Sequence, residues 1–165
     1  MVSDKAAVSV EEIWRALQTV KDPEIPVVSV VEMGIVREIA QTDAGVRITI
    51  TPTFAGCPAL QVIKAEIIKC VHGLGAGDVE IVVALAPRWT TEWIGEEARA
   101  KLKAFGLAPP PRFLGKVNVF FEEPVACPYC GSNNTTLKNT FGSTLCRAIY
   151  YCQACQQPFE QFKPI

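Results

Sequence analysis

The 165-residue sequence sets 16 Lys and Arg against 17 Asp and Glu, and 49% of its residues are hydrophobic against 20% charged. That length and balance suit a globular chain with one good core and a small appendage, and a formal net charge of -1 gives no field that would gather nucleic acid or an anionic membrane surface. No apolar run approaches the ~20 residues needed to span a bilayer, and the start MVSDKAAVSVEEIW lacks the basic-then-apolar order of a secretory signal. A cytoplasmic location is therefore expected, where paired cysteines read as metal ligands or redox groups rather than disulfides.

In chain order, Ser9 and Glu12 stand at a capping-box spacing. Ile13, Leu17 and Val20 then recur at helical intervals, which predicts an amphipathic helix over 10–20. The helix should stop before Asp22-Pro23, because the residue ahead of a proline avoids the α region, leaving DPEIP (22–26) as a rigid, irregular loop. GIVREIA and VRITITPT are β-rich runs around Asp43-Ala44-Gly45, a hairpin signal. Pro58 suits the first position of a helix whose buried stripe is Leu60, Ile63, Ile67, Val71 and Leu74, with Cys70 expected in the core beside it. VEIVVAL (79–85) is a third, apolar strand, and two strands joined through such a helix imply a right-handed βαβ crossover. A last helix over about 91–105 stops at Gly106. Residues 1–107 should thus fold as a small α/β (α+β) sandwich with a short mixed sheet. The prolines of APPPR open a linker over 108–116, KVNVFF follows, and 117–165 form a second domain.

Within that tail, Cys127-Pro-Tyr-Cys130 and Cys152-Gln-Ala-Cys155 frame a gap of 21 residues. Each pair turns back so that both thiolates face one point, and two such knuckles supply the tetrahedral four-sulfur set of a closed structural zinc site, with iron the main competitor. Gly131 fits the tight turn after the first knuckle. A segment of this size buries too little apolar surface alone, so a metal would contribute folding free energy in a zinc ribbon. Cys146 shares a strand face with Cys152 by parity but would lie ~20 Å away at ~3.3 Å per residue. It is either a small buried residue or an additional thiol with a separate role. Lys138, Arg147 and Lys163 balance Glu122, Glu123 and Glu160, so the tail reads as a docking or structural ribbon rather than a phosphate binder.

The remaining conspicuous stretch is TPTFAGCP (51–58). Cys57 should sit at the N-cap of the helix that Pro58 opens, where unpaired N–H groups and the helix dipole favour a thiolate. Thr51 and Thr53 share one strand face near that turn, and Asp22 and Glu24 would add carboxylates if their loop folds over the helix end. Packing is the plain alternative for each of these residues. His72, the single histidine, lies about four turns along the helix, which disfavours a Cys-His hydrolase. No GxGxxG or P-loop pattern supports nucleotide chemistry.

At VKDPEIPVVSVVEMGIV and TPTFAGCPAL the chain resembles the metal–sulfur cluster assembly factor family, over roughly residues 9–105. With the tail CPYCGSNNTTLKNTFGSTLCRAIYYCQACQQPFEQFKPI added, the resemblance narrows to accessory proteins of phenylacetyl-CoA ring 1,2-epoxidase systems and covers nearly the whole chain. The resemblance implies a small α/β fold in which Asp22, Glu24, Thr51, Thr53 and Cys57 form the functional cluster, with Cys57 the key thiol. It implies help in inserting or transferring iron or an iron–sulfur cluster, held transiently, and no turnover chemistry of the chain's own. The implied recipients are a diiron oxygenase subunit and an iron–sulfur flavin reductase subunit, and a homodimer is left open. Two positions depart from the pattern: Pro164 stands where a C-terminal cysteine is expected, and Lys21 where broader relatives carry an acidic residue. Three roles remain at this point: a transfer module using Cys57, a passive structural subunit of the oxygenase, and a thiol redox enzyme pairing Cys57 with Cys146.

Overall fold

A computed structural model describes residues 8–112 and 124–164, so the KVNVFF run falls outside the described residues. The chain divides into two compact units, one ending at Trp89 and the other beginning at Thr90.

The first unit opens with α1 (Val10–Leu17). The capping box closes as expected: the Ser9 hydroxyl accepts the Glu12 N–H at 3.2 Å and the Glu12 carboxylate accepts the Ser9 N–H at 2.8 Å. The helix stops at Leu17, short of the expected end. The Thr19 and Val20 N–H groups reach back only three residues, to the carbonyls of Ala16 and Leu17, a tightened last turn that still buries Val20. β1 (Val36–Thr42) and β2 (Gly45–Ile50) pair as the expected antiparallel hairpin. Gly45 takes φ +154°, and a Cβ there would lie 2.1 Å from the Asp78 carbonyl oxygen, so only glycine lets β3 approach.

From β2 the chain crosses through α2 (Leu60–Gly73) to β3 (Asp78–Val83), which lies parallel to β2. The sheet order is β1-β2-β3. Val46, Ile48 and Ile50 of β2 and Ile63, Ile67 and Val71 of α2 are all buried. The helix stripe is narrower than its sequence implies: Leu74 is exposed and Cys70 half-buried. Among the described residues β3 is an outer strand of its sheet, with Val79, Ile81, Val82 and Val83 half-buried.

The second unit begins with a 3-10 turn (Thr91–Trp93) and α3 (Glu96–Ala104), where a single helix over about 91–105 was expected. The break falls at Gly95, the extended N-cap of α3. Gly106, at φ +87°, ends the helix as expected, with its N–H returning to the Lys103 carbonyl. β4 (Leu107–Ala108), β5 (Thr135–Asn139), β6 (Arg147–Cys152) and β7 (Pro158–Phe162) form a sheet of order β4-β7-β6-β5. Residues 90–112 therefore cluster with the tail. β4 pairs with β7, and buried Arg99 donates to the carbonyls of Thr91, Ile94 and Pro110. One face of this sheet forms the small core: Ala108, Ala148, Tyr150, Phe159 and the cysteines Cys127 and Cys152, with the Tyr150 and Phe159 rings stacked 5.7 Å apart. Among the described residues no helix is long and apolar enough to cross a membrane.

Candidate functional site

Four thiols meet in the second unit. The Sγ atoms of Cys127, Cys130, Cys152 and Cys155 all lie within 4.8 Å of one another. The Cys127–Cys155 and Cys130–Cys152 separations are 3.7 and 3.6 Å, against the ~3.8 Å edge of a tetrahedron built on ~2.3 Å metal–sulfur bonds. The donor set thus fits a tetrahedral metal ion. Two matching knuckles place it. The Cys127 N–H donates to the Ser132 carbonyl and the Cys152 N–H to the Gln157 carbonyl, five residues on in each case. Gly131 at φ +76° and Gln156 at φ +57° occupy equivalent left-handed positions. Glycine takes that conformation without cost and glutamine does not; the sequence pointed to the first position and hid the second.

As thiols Cys152 and Cys155 are unequal. The Cys155 N–H aimed at Cys152, aided by that of Ala154, brings the Cys152 pKa down to about 7 against the burial that opposes it. Burial pushes Cys155 up to about 12, and neighbouring thiols add to the shift. The Cys152 thiolate is therefore ready to receive a soft cation, while Cys155 must lose its proton to it. Cys146 lies outside the group. It precedes β6, with its Sγ 3.0 Å from the Thr144 hydroxyl and its carbonyl taking the Lys163 N–H.

The loop carrying Cys146 is braced by a half-buried ion pair. Arg147 Nη1 lies 2.9 Å from Glu160 Oε2, and Glu160 also accepts the N–H and hydroxyl of Ser143 at 2.6 and 3.0 Å. Desolvation pushes the Glu160 pKa up, but the Ser143 N–H and the Arg147 pairing outweigh it and hold the carboxyl below its ordinary value.

In the first unit, Cys57 is not an N-cap. That position belongs to Ala59, and Pro58 sits in the turn before the helix. The Cys57 carbonyl takes the Leu60 N–H at 3.2 Å over three residues, so the first full helical bond starts at Ala59. Two residues of displacement matter because the field of a helix end fades within its first turn. Thr51 and Thr53 do not share a strand face either. β2 ends at Ile50, ahead of Pro52, which has no N–H to continue the ladder. Thr51 is buried and its N–H donates to the Ile35 carbonyl at 2.8 Å, while Thr53 and Cys57 are half-buried on the irregular loop that follows.

Asp22 is buried and works for its own loop: Oδ1 accepts the N–H groups of Glu24 and Ile25 at 2.8 and 3.0 Å. The Asp22 N–H in turn donates to the Val28 carbonyl, so the DPEIP turn is a closed, self-capped unit. Glu24 is half-buried beside it. Lys21 reaches Glu32 at 3.9 Å. Among the described residues, the tail thiols are the one group of three or more His, Cys, Asp or Glu side chains able to hold a metal; Cys57, Asp22 and Glu24 are not assembled into another. Sequence reasoning missed Trp89. It is 2% exposed, and its Nε1–H donates to the Met33 carbonyl at 2.8 Å, which pins the chain after β3 to the turn before β1. No periodicity marks it.

Comparison with known proteins gives these residues a context. Residues 10–84 match the family described as "Iron-sulfur cluster assembly protein", and residues 116–163 match the "PaaD zinc beta ribbon domain". A protein of Escherichia coli strain K12, named as a component of 1,2-phenylacetyl-CoA epoxidase, is 40% identical over 156 residues, 94% of this chain and 93% of that one. An "Fe-S protein maturation auxiliary factor" of Porphyromonas gingivalis is 35% identical over 94 residues, 56% of this chain and 89% of that one. The crystal structure of a domain of unknown function, DUF59, from Bacillus anthracis is similar at a TM-score of 0.52 and 26% identity, covering 56% of this chain and 89% of the other.

Proposed function

Because this chain belongs to the PaaD family, in which an iron–sulfur cluster assembly domain precedes a zinc beta ribbon, we propose that it is an accessory maturation factor for a phenylacetyl-CoA epoxidase. It helps assemble or insert the iron or iron–sulfur centre of the oxygenase or reductase subunit and turns over no substrate itself. Cys57 handles the cargo, assisted by Asp22, Glu24, Thr51 and Thr53.

The observation that carries this reading is the presence of two kinds of thiol. Cys127, Cys130, Cys152 and Cys155 form a closed set, and Cys57 stands on an irregular loop outside it. A zinc ion held by the four would supply folding free energy to the ribbon and leave no open coordination position. A single thiolate assisted by hard oxygen donors holds a soft metal weakly enough to release it. The competing reading, a non-catalytic structural subunit of the oxygenase, draws support from Asp22, whose carboxylate serves its own turn.

The two readings separate when each epoxidase component is purified from cells expressing the system with the wild-type chain, without it, or with Cys57→Ser. Maturation predicts one component depleted in iron in both altered strains while the complex still assembles. A full iron complement in every strain contradicts it, and loss of assembly only when the chain is omitted supports the structural role.

A further inference from the structure

We propose that the outer edge of β3 is a homodimer interface, at which β3 of a second copy pairs antiparallel to extend the sheet from three strands to six. The Asp78 N–H donates to the Ala44 carbonyl and the Ala84 N–H to the Ile50 carbonyl, so even-numbered residues of β3 bond to β2. In a strand, the N–H and C=O of one residue point the same way and alternate along the chain. Val79, Ile81 and Val83 therefore turn their backbone groups outward, away from β2.

The described sheets have four outer strands, and three of them are blunted. β1 carries a register break between Val36 and Glu38 with Arg37 inside it, β5 has one between Leu137 and Asn139 with Lys138 inside it, and β4 is two residues long. Breaks, charges and brevity of this kind keep an edge from recruiting another strand. β3 has no break and is not short: its six residues pair with β2 without a shift, and its two charges, Asp78 and Glu80, share one face and leave Val79, Ile81 and Val83 on the other. Its side chains Val79, Ile81, Val82 and Val83 are left half-exposed, as the flank of a core waiting for cover would be.

A second copy fits this edge because the strand is complementary to itself. With Ile81 opposite Ile81 of the second copy, Val79 meets Val83 and all three outward residues exchange hydrogen bonds. In the same register Asp78 falls opposite Ala84 and Glu80 opposite Val82, so no two carboxylates face each other. A register centred on Glu80 would oppose two like charges. Glu80 also pairs with Arg47 at 2.7 Å across the β2–β3 pair, an exposed contact that leaves its carboxylate charged.

Val82 points away from the core-facing side chains of β3 and would meet Glu80 of the second copy in a narrow pair, where side chains lie closest. Sedimentation equilibrium of the full chain over a concentration series should give a dimer for the wild type. Val82→Glu should raise its dissociation constant about tenfold, from two symmetric like-charge contacts, while Val82→Lys should hold or lower it. A wild type that stays monomeric throughout overturns the interface. A dimer that responds equally to Val82→Glu and Val82→Lys overturns it as well.

Discussion

The two thiol regions differ in how the chain spends its polar groups. In the ribbon, backbone N–H groups point at sulfur, two equivalent turns repeat the same bond, and four Sγ atoms converge. In the first unit the polar groups of the candidate residues serve the fold: the Asp22 carboxylate its own turn and the Thr51 N–H the Ile35 carbonyl. On the function proposed above, the ribbon keeps its ion by directing donors inward, whereas the first unit would pass one on from a thiol left on a loop. The contrast predicts that damage to the two regions has opposite consequences, one for folding and one for cargo.

The sharpest break would come from Cys127→Ser or from chelation of the metal. Structural zinc contributes on the order of 10 kcal/mol to small domains, so β5, β6 and β7 should lose their dispersed amide resonances while those of β1 to β3 persist. Cys57→Ser should leave both sets unchanged. If chelation spared the ribbon, the four thiols would be packing rather than ligands.

A smaller effect is expected in the first unit. Asp22→Ala removes the carboxylate acceptor of the half-buried Glu24 N–H and one of the two acceptors of the buried Ile25 N–H, and should cost about 1 kcal/mol by urea unfolding, whereas Asp22→Asn, which keeps an acceptor oxygen, should cost much less. Equal losses would mean that the carboxylate charge, rather than the turn, matters there.

Acid should separate the regions as well. Cys152 has its pKa lowered to about 7, and a thiol depressed in the folded state contributes stability above its unfolded value that is lost as pH falls through the folded one. Protons also compete with the metal for the other three sulfurs. The Cys152 contribution should therefore fall away between about pH 9 and about pH 7, with proton competition for the metal lowering ribbon stability further below that, while the first unit holds; parallel decline of both would break the comparison. The mildest change is Gln156→Gly, which should gain about 0.5–1 kcal/mol by relieving a left-handed residue. The same measurement on Gly131→Ala should show a loss, because a Cβ there meets no atom and only backbone strain remains.

Much of this was legible in the sequence because it is local. The Ser9–Glu12 box, the hairpin at Asp43-Ala44-Gly45, the βαβ passage through α2 and the convergence of the four cysteines each depend on a few adjacent residues. What escaped depends on distant partners. Arg99 gathers carbonyls from Thr91, Ile94 and Pro110, and β4 pairs with β7 some fifty residues away. Together they draw α3 toward the tail. Cys57 slipped from the N-cap because a three-residue turn precedes α2, and boundary shifts of one or two residues are beyond propensity and caps alone. Composition gave no sign of Trp89 or Gln156, since one depends on a carbonyl 56 residues away and the other on the handedness of a single turn.

The division of labour between the thiols is tested most directly by loading the zinc-replete full chain with iron and sulfide under anaerobic conditions. Iron, sulfide and zinc would be counted in the wild type and in Cys57→Ser, with Mössbauer spectra to identify the iron. The account predicts that the wild type takes up iron at unchanged zinc, and that Cys57→Ser keeps its zinc but takes up none. Equal iron in both proteins, or iron entering only as zinc leaves, would contradict it.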